Sequence, residues 1–163
     1  MNRDEMYENC NWADDAGSAG RLWRAVGAAD LTPHRLALRV YYEDTDLAGI
    51  VYHANYLKFI ERGRSEMIRA AGVDQVALRA QGRVFAVRRL VADYLAPARF
   101  DDMLAVQSRV TGVTGARIAL DQAVWRGSAC LFRAGVTLVC LTNAGTATRI
   151  PADIRQKLGD LPE

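Results

Sequence analysis

Cysteine is scarce in this chain of 163 residues: there are three, Cys10, Cys130 and Cys140, and no CxxC pair. An odd number without paired spacing argues against both a disulfide framework and a zinc site. Cys130 and Cys140 lie in apolar runs, where a thiol behaves as a small core residue. No apolar stretch approaches the roughly 18 residues of a membrane span, and the first residues lack the basic-then-apolar layout of a secretory signal. These absences lead us to expect a cytoplasmic protein. Charge of one sign is also missing, since the net charge is only +2 and the arginines are scattered. That argues against a nucleic-acid partner, which needs a clustered basic face. The sequence has no glycine-rich phosphate loop, no GxSxG elbow and no internal repeat, which makes the nucleotide folds and the serine hydrolases poor candidates.

What is present suits one globular domain, with half of the residues hydrophobic and a quarter charged. Residues 1–32 are rich in Asn, Asp, Ala and Gly, with Trp12 and Trp23 isolated among them. They read as a poorly ordered leader, or a short helix around Arg21 to Ala28, outside the domain proper at 33–163. From His34 the pattern changes: Leu36, Leu38, Val40 and Tyr42 alternate with Arg35, Ala37, Arg39 and Tyr41, as in a half-buried strand ending near Glu43. Asp44 to Gly49 is turn-forming and Ile50 to Tyr52 a short apolar bridge.

From Ala54 to Ala71 the period lengthens to that of an amphipathic helix, with Tyr56, Ile60, Gly63, Met67 and Ala70 on one stripe and Gly72 as the stop. Gly63 within that stripe costs about 1 kcal/mol against alanine, which points to close approach of a strand. A second helical piece, Gln75 to Gln81, precedes four strands: Arg83 to Leu95, Leu104 to Val110, Arg117 to Trp125 and Ala129 to Leu141. The Arg88-Arg89 pair breaks the alternation of the first and marks a bend or bulge. Hairpin turns at 111–115 and 126–128 suggest that the four form a meander. Pro151 opens a terminal helix with Asp153 in its first turn. One apolar-striped helix against an antiparallel sheet is an α+β layout.

The chemistry concentrates in Tyr41 to Tyr56, which holds two Asp residues two apart, His53, a glycine turn and an aromatic pair. A carboxylate there can act as a nucleophile or activate water, and N–H groups at a helix start can hold developing negative charge. From spacing alone, Asp46 in a Thr-Asp-x-x-Gly turn is more readily a turn or cap residue than a catalyst. Taken alone, His53 reads as a helix-start or hydrogen-bonded residue, and Asn55 and Tyr56 as capping and packing residues. Glu61, close to Lys58, Arg62 and Arg64, reads first as a surface ion pair. Arg88 and Arg89 have the charge to bind a ligand's phosphates, but arginines in a strand are more often solvated.

Tyr42-Glu43-Asp44-Thr45-Asp46-x-x-Gly49-x-Val51-Tyr52-His53-x-Asn55-Tyr56, followed by Glu61-Arg62-x-Arg64, resembles the signature of hotdog-fold acyl-CoA thioesterases. It is most similar to the YbgC branch of the 4-hydroxybenzoyl-CoA thioesterase family, associated with the Tol-Pal envelope system. The likeness runs from residue 34 to about 158 and includes Asp93-Tyr94-Leu95-x-Pro97-Ala98.

The resemblance implies a hotdog fold, a five-stranded antiparallel sheet wrapped around a central helix, in a homodimer or tetramer with the active site at the subunit interface. It implies Asp46 as the catalytic carboxylate, with His53 contributing its backbone N–H and its ring. It reverses the odds on Asp46 and leaves Asp44 structural. Gly49, Val51, Tyr52, Asn55 and Tyr56 become candidates for substrate contact, and Glu61 a second-choice carboxylate.

The expected reaction is hydrolysis of a short-chain aliphatic or aromatic acyl-CoA, or of an acyl-carrier-protein thioester, without metal or bound cofactor. Tyr56, Phe59 and Phe85 either line the acyl pocket or simply pack. Two rivals are a hydratase or dehydratase on the same fold, whose proline-rich His motif is absent, and a non-catalytic acyl-binding scaffold, which would have no need to keep Asp46.

Overall fold

The computed structural model describes residues 33–159, so the expected leader and its short helix fall outside the described residues. The elements run β1 (His34–Arg39), α1 (His53–Ala70), α2 (Gln75–Ala80), β2 (Arg83–Tyr94), β3 (Met103–Val113), β4 (Arg117–Arg126), β5 (Ala129–Thr142) and α3 (Ala152–Lys157). The five strands form one antiparallel sheet in the order β1-β3-β4-β5-β2, and α1 packs on one face against β1, β3 and β4. This is the expected hotdog layout.

Two sequence expectations are corrected. The four later strands are not a simple meander: β2 leaves β3 and pairs with β5 on the far edge. Hairpin signals identify β3-β4 and β4-β5, but no local signal tells where the preceding strand docks. The first strand also ends at Arg39, not near Glu43, and Tyr42–Asp44 form a single 3-10 turn. Asp44 causes this: its carboxylate accepts the Tyr41 N–H at 2.8 Å while its own N–H donates to the Tyr41 carbonyl. That closed pair turns the backbone out of the ladder, so Val40 is buried and Tyr42 is exposed.

The alternation otherwise holds. Ile118, Leu120, Gln122 and Val124 of β4 face α1, as do Leu104, Val106 and Ser108 of β3, and all are buried. The expected irregularity in β2 is a bulge at Arg88, where the register shifts between Val87 and Arg89. On α1 the buried stripe comprises Asn55, Tyr56, Phe59, Ile60, Gly63, Arg64, Met67 and Ile68. Ala70, placed on that stripe by its spacing, is exposed. Burying Phe59, Ile60 and Ile68 contributes roughly 1.5–3 kcal/mol each relative to exposure. Gly72, at φ +78°, ends the helix: its N–H bonds the Arg69 carbonyl and the Val73 N–H the Ile68 carbonyl, a Schellman closure.

Gly63 marks where α1 comes down on the sheet. A Cβ at this position would lie 2.5 Å from Val106 Cγ1 and 3.3 Å from Ser108 Oγ. Val106 is β-branched and fully buried, so it cannot swing aside freely. Gly63→Ala should therefore destabilise the protein by about 1–3 kcal/mol of overpacking, more than the roughly 1 kcal/mol of helix propensity it gains. Urea denaturation of that variant beside wild type checks this, and a stabilised variant would contradict the close approach.

Candidate active site

Asp44 anchors the loop that carries the site. It is buried, and while Oδ2 takes the Tyr41 N–H, Oδ1 accepts from Asn55 Nδ2 at 3.2 Å and the backbone carbonyl accepts from Tyr52 N–H at 2.9 Å. One acid thus ties the end of β1, the turn and the first turn of α1 together. The next acid stands free of that clasp. Asp46 Oδ1 accepts the Ala48 N–H at 2.9 Å in an Asx turn, and its main chain closes a small loop through Asp46 N–H to the Ile50 carbonyl and Gly49 N–H to the Asp46 carbonyl. Gly49 makes that loop possible with φ +73°. The Asp46 side chain is exposed, and Oδ2 has no hydrogen-bond partner among the described residues.

Immediately after this loop α1 begins. No side chain caps it, so the N–H groups of His53 and Ala54 have no acceptor from the helix. Their direction and the helix dipole make this end favourable for negative charge. An exposed carboxylate and an uncapped helix start are separated by six residues of chain, pinned at Thr45 to Val51 and at Ile50 to Arg99 by antiparallel bridges. In chemical terms an exposed carboxylate can act as nucleophile or base, and unpaired N–H groups at a helix start can hold an oxyanion.

The candidate residues divide by placement. Asp46, Gly49, Tyr52 and His53 are exposed, whereas Val51, Asn55 and Tyr56 are buried. Val51 N–H bonds the Ala98 carbonyl, and Tyr56 Oη accepts the Ala98 N–H at 2.8 Å. Burial pushes the Tyr56 hydroxyl above its ordinary pKa, against the Ala98 N–H that lowers it. Phe59 is fully buried in the core, and Phe85 packs at its margin.

The Ala98 loop is itself held. Arg126 Nη1 donates to Asp102 Oδ2 at 2.7 Å and to the Pro97 carbonyl, and Arg99 N–H reaches the same carboxylate oxygen. Against the burial that raises it, these donors keep the Asp102 carboxyl below the usual range.

Glu61 does pair with Arg64, but the pair is lopsided: Glu61 is exposed and Arg64 buried. Arg64 Nη1 donates to Gln122 Oε1 at 2.9 Å, and Gln122 Nε2 donates to Ser108 Oγ and to the Ile60 carbonyl. Burial lowers the Arg64 pKa. Sequence reasoning missed this interior network, although its signal was present: Gln122 occupies an inward position between Leu120 and Val124. It gave no role to Tyr94, noted only within the Asp93-Tyr94-Leu95 motif, whose hydroxyl donates to the His53 carbonyl at 3.0 Å and whose ring meets His53, Tyr56 and Phe132.

Residues 48–130 match the family model described as the thioesterase superfamily. An acyl-CoA thioester hydrolase, YbgC, of Escherichia coli O6:H1 is 43% identical over 111 residues, spanning 68% of this chain and 83% of that protein. The acyl-CoA thioesterase YbgC of Haemophilus influenzae is 43% identical over 105 residues, covering 64% and 77%. Among solved structures, a probable thioesterase from Bartonella henselae superposes with a TM-score of 0.70 at 36% identity, over 74% of this chain and 100% of that one.

The two acids should separate cleanly in stability. Asp44→Ala leaves buried donors without an acceptor and should cost about 1–3 kcal/mol, whereas Asp46→Ala, losing one exposed turn bond, should stay within about 0.5 kcal/mol of wild type. Chemical denaturation of the two variants measures the difference.

Proposed function

The chain belongs to the thioesterase superfamily, and on that footing we propose that Asp46 is the carboxylate with which it hydrolyses acyl-CoA thioesters to free acid and coenzyme A. The observation that carries the assignment is the exposed Asp46 carboxylate, held by its Asx turn directly before the uncapped start of α1. Two routes are open to it. As nucleophile, an Asp46 oxygen bonds the carbonyl carbon, the C–S bond breaks and the thiolate leaves, after which water hydrolyses the mixed anhydride. As base, Asp46 takes a proton from the water whose oxygen bonds the carbonyl carbon, and as the C–S bond breaks the thiolate leaves and takes up that proton. On either route the tetrahedral oxyanion sits against the His53 and Ala54 N–H groups, where removing one such donor costs roughly 10²–10³ in rate. The thioester brings the coenzyme with it, and the proposed chemistry calls on no metal or resident cofactor.

A short-chain aliphatic or aromatic acyl group is the substrate we favour. The rings of Tyr52 and Tyr94 flank the helix start, whereas the space beneath α1 is filled by Tyr56, Phe59 and Phe132.

We further propose a homodimer or a larger assembly of dimers, with the active site completed across the subunit interface. Leu47, next to Asp46, is fully exposed, as large parts of Tyr42 and Phe100 are, and such apolar surface beside a reacting carboxylate favours cover by a second copy. No helix among the described residues is long and apolar enough to cross a membrane. We place the enzyme in the cytoplasm, a compartment that suits the free, buried thiol of Cys140.

Thiol release from acetyl-, hexanoyl-, palmitoyl- and benzoyl-CoA, and from an acyl-carrier-protein thioester, tests the reading with wild type beside Asp46→Asn. The variant should lose at least about 10³ in kcat at an unchanged melting temperature. Turnover close to wild type in Asp46→Asn would remove the assignment. Turnover of the carrier-protein thioester alone would move the substrate to that carrier. Size-exclusion chromatography with light scattering should give at least twice the monomer mass.

A further inference from the structure

The reading above, on which this inference rests, assigns the oxyanion to two backbone N–H groups, and one of them belongs to a peptide with an unusual partner. The Ala54 N–H and the His53 carbonyl are the two ends of one amide. Tyr94, at the last position of β2, donates its hydroxyl hydrogen to that carbonyl at 3.0 Å. A hydrogen bond accepted at the oxygen of an amide draws electron density toward it, making the N–H at the other end a stronger donor. It also fixes the tilt of the peptide plane, and with it the aim of the N–H. Within α1 that carbonyl has only the Leu57 N–H of the helix ladder, and Tyr94 adds a second donor from outside the helix.

Tyr94 is itself held for the task. Its ring meets Tyr56 edge-on at 5.6 Å and Phe132 at 5.0 Å, and it lies edge-on to the His53 imidazole at 6.3 Å. Tyr56 and Phe132 are buried and stacked at 5.1 Å, so the hydroxyl is aimed by a rigid aromatic wall and not by its own flexible stem. Tyr94 remains half exposed, which leaves its outer edge at the mouth of the site. The register of β2 on β5, Tyr94 opposite Phe132, is what brings this hydroxyl to the helix start.

We propose that Tyr94 is a positioning residue for thioester hydrolysis: it orients and polarises the His53–Ala54 peptide so that the Ala54 N–H is set for the oxyanion. It acts through the peptide and not on the substrate, so its loss falls on the transition state. Tyr94→Phe keeps the ring and removes only the donor. The variant should lose kcat by roughly three- to tenfold, well short of the ~10²–10³ for an oxyanion donor itself, with KM within about twofold of wild type.

The test is steady-state kinetics on the acyl-CoA that wild type turns over best, with thermal melting alongside. A third protein, carrying 4-aminophenylalanine at position 94, restores a donor at the ring's end and should recover most of the lost kcat. The proposal is overturned if Tyr94→Phe keeps wild-type kcat, if its defect lies in KM, or if the restored donor fails to rescue. Asp46→Asn separates the two readings. If that variant is inactive while Tyr94→Phe matches wild type, only the role of Tyr94 falls; if wild type hydrolyses no thioester, both fall.

Discussion

The contact between the α1 backbone at Gly63 and Val106 of β3 sets the distance between helix and sheet, and most of the molecule follows from it. At that distance no ordinary side chain fits between the two, so the helix cannot slide or roll without a clash. Arg64 and Gln122 lock the same seat from the polar side, since a buried guanidinium and a buried amide demand partners that only this registration supplies. The helix start is therefore placed by packing ten residues downstream. The proposed oxyanion site depends on this, because N–H donors contribute to catalysis only when they are fixed before the reaction begins.

The loop before the helix divides labour between its two acids. Asp44 spends its oxygens on Tyr41 and Asn55 and is withdrawn from solvent. Asp46 uses one oxygen on its own turn and presents the other outward. The same residue type two positions apart thus serves as a buried clasp at Asp44 and, in the proposed reaction, as the reagent at Asp46. The aromatic wall of Tyr56, Phe132 and Tyr94 completes the support from the β2 side.

Much of this was legible in the chain. Period-2 alternation identified the strands, the helical stripe identified α1, and Gly63 within the stripe announced a close strand. The Arg88 bulge was visible as two arginines breaking an apolar run. Where alternation misled, at Tyr42, a local hydrogen-bonded pair around Asp44 outcompeted the ladder. The spacing of Ala70 gave it a buried position, but the last turn of α1 leaves Ala70 exposed and Ala71 packs against the core instead.

The sequence by itself determined the element types and the α+β class, and it singled out the segment proposed to carry the chemistry, because periodicity and turn chemistry are local and act within a few residues. Only the tertiary structure decided that β2 pairs with β5, that Arg64 is buried against Gln122 and that the Tyr94 hydroxyl reaches the His53 carbonyl. Each of these joins residues some 40 or more positions apart. Such pairings depend on how the sheet closes around the helix, and no local pattern encodes that.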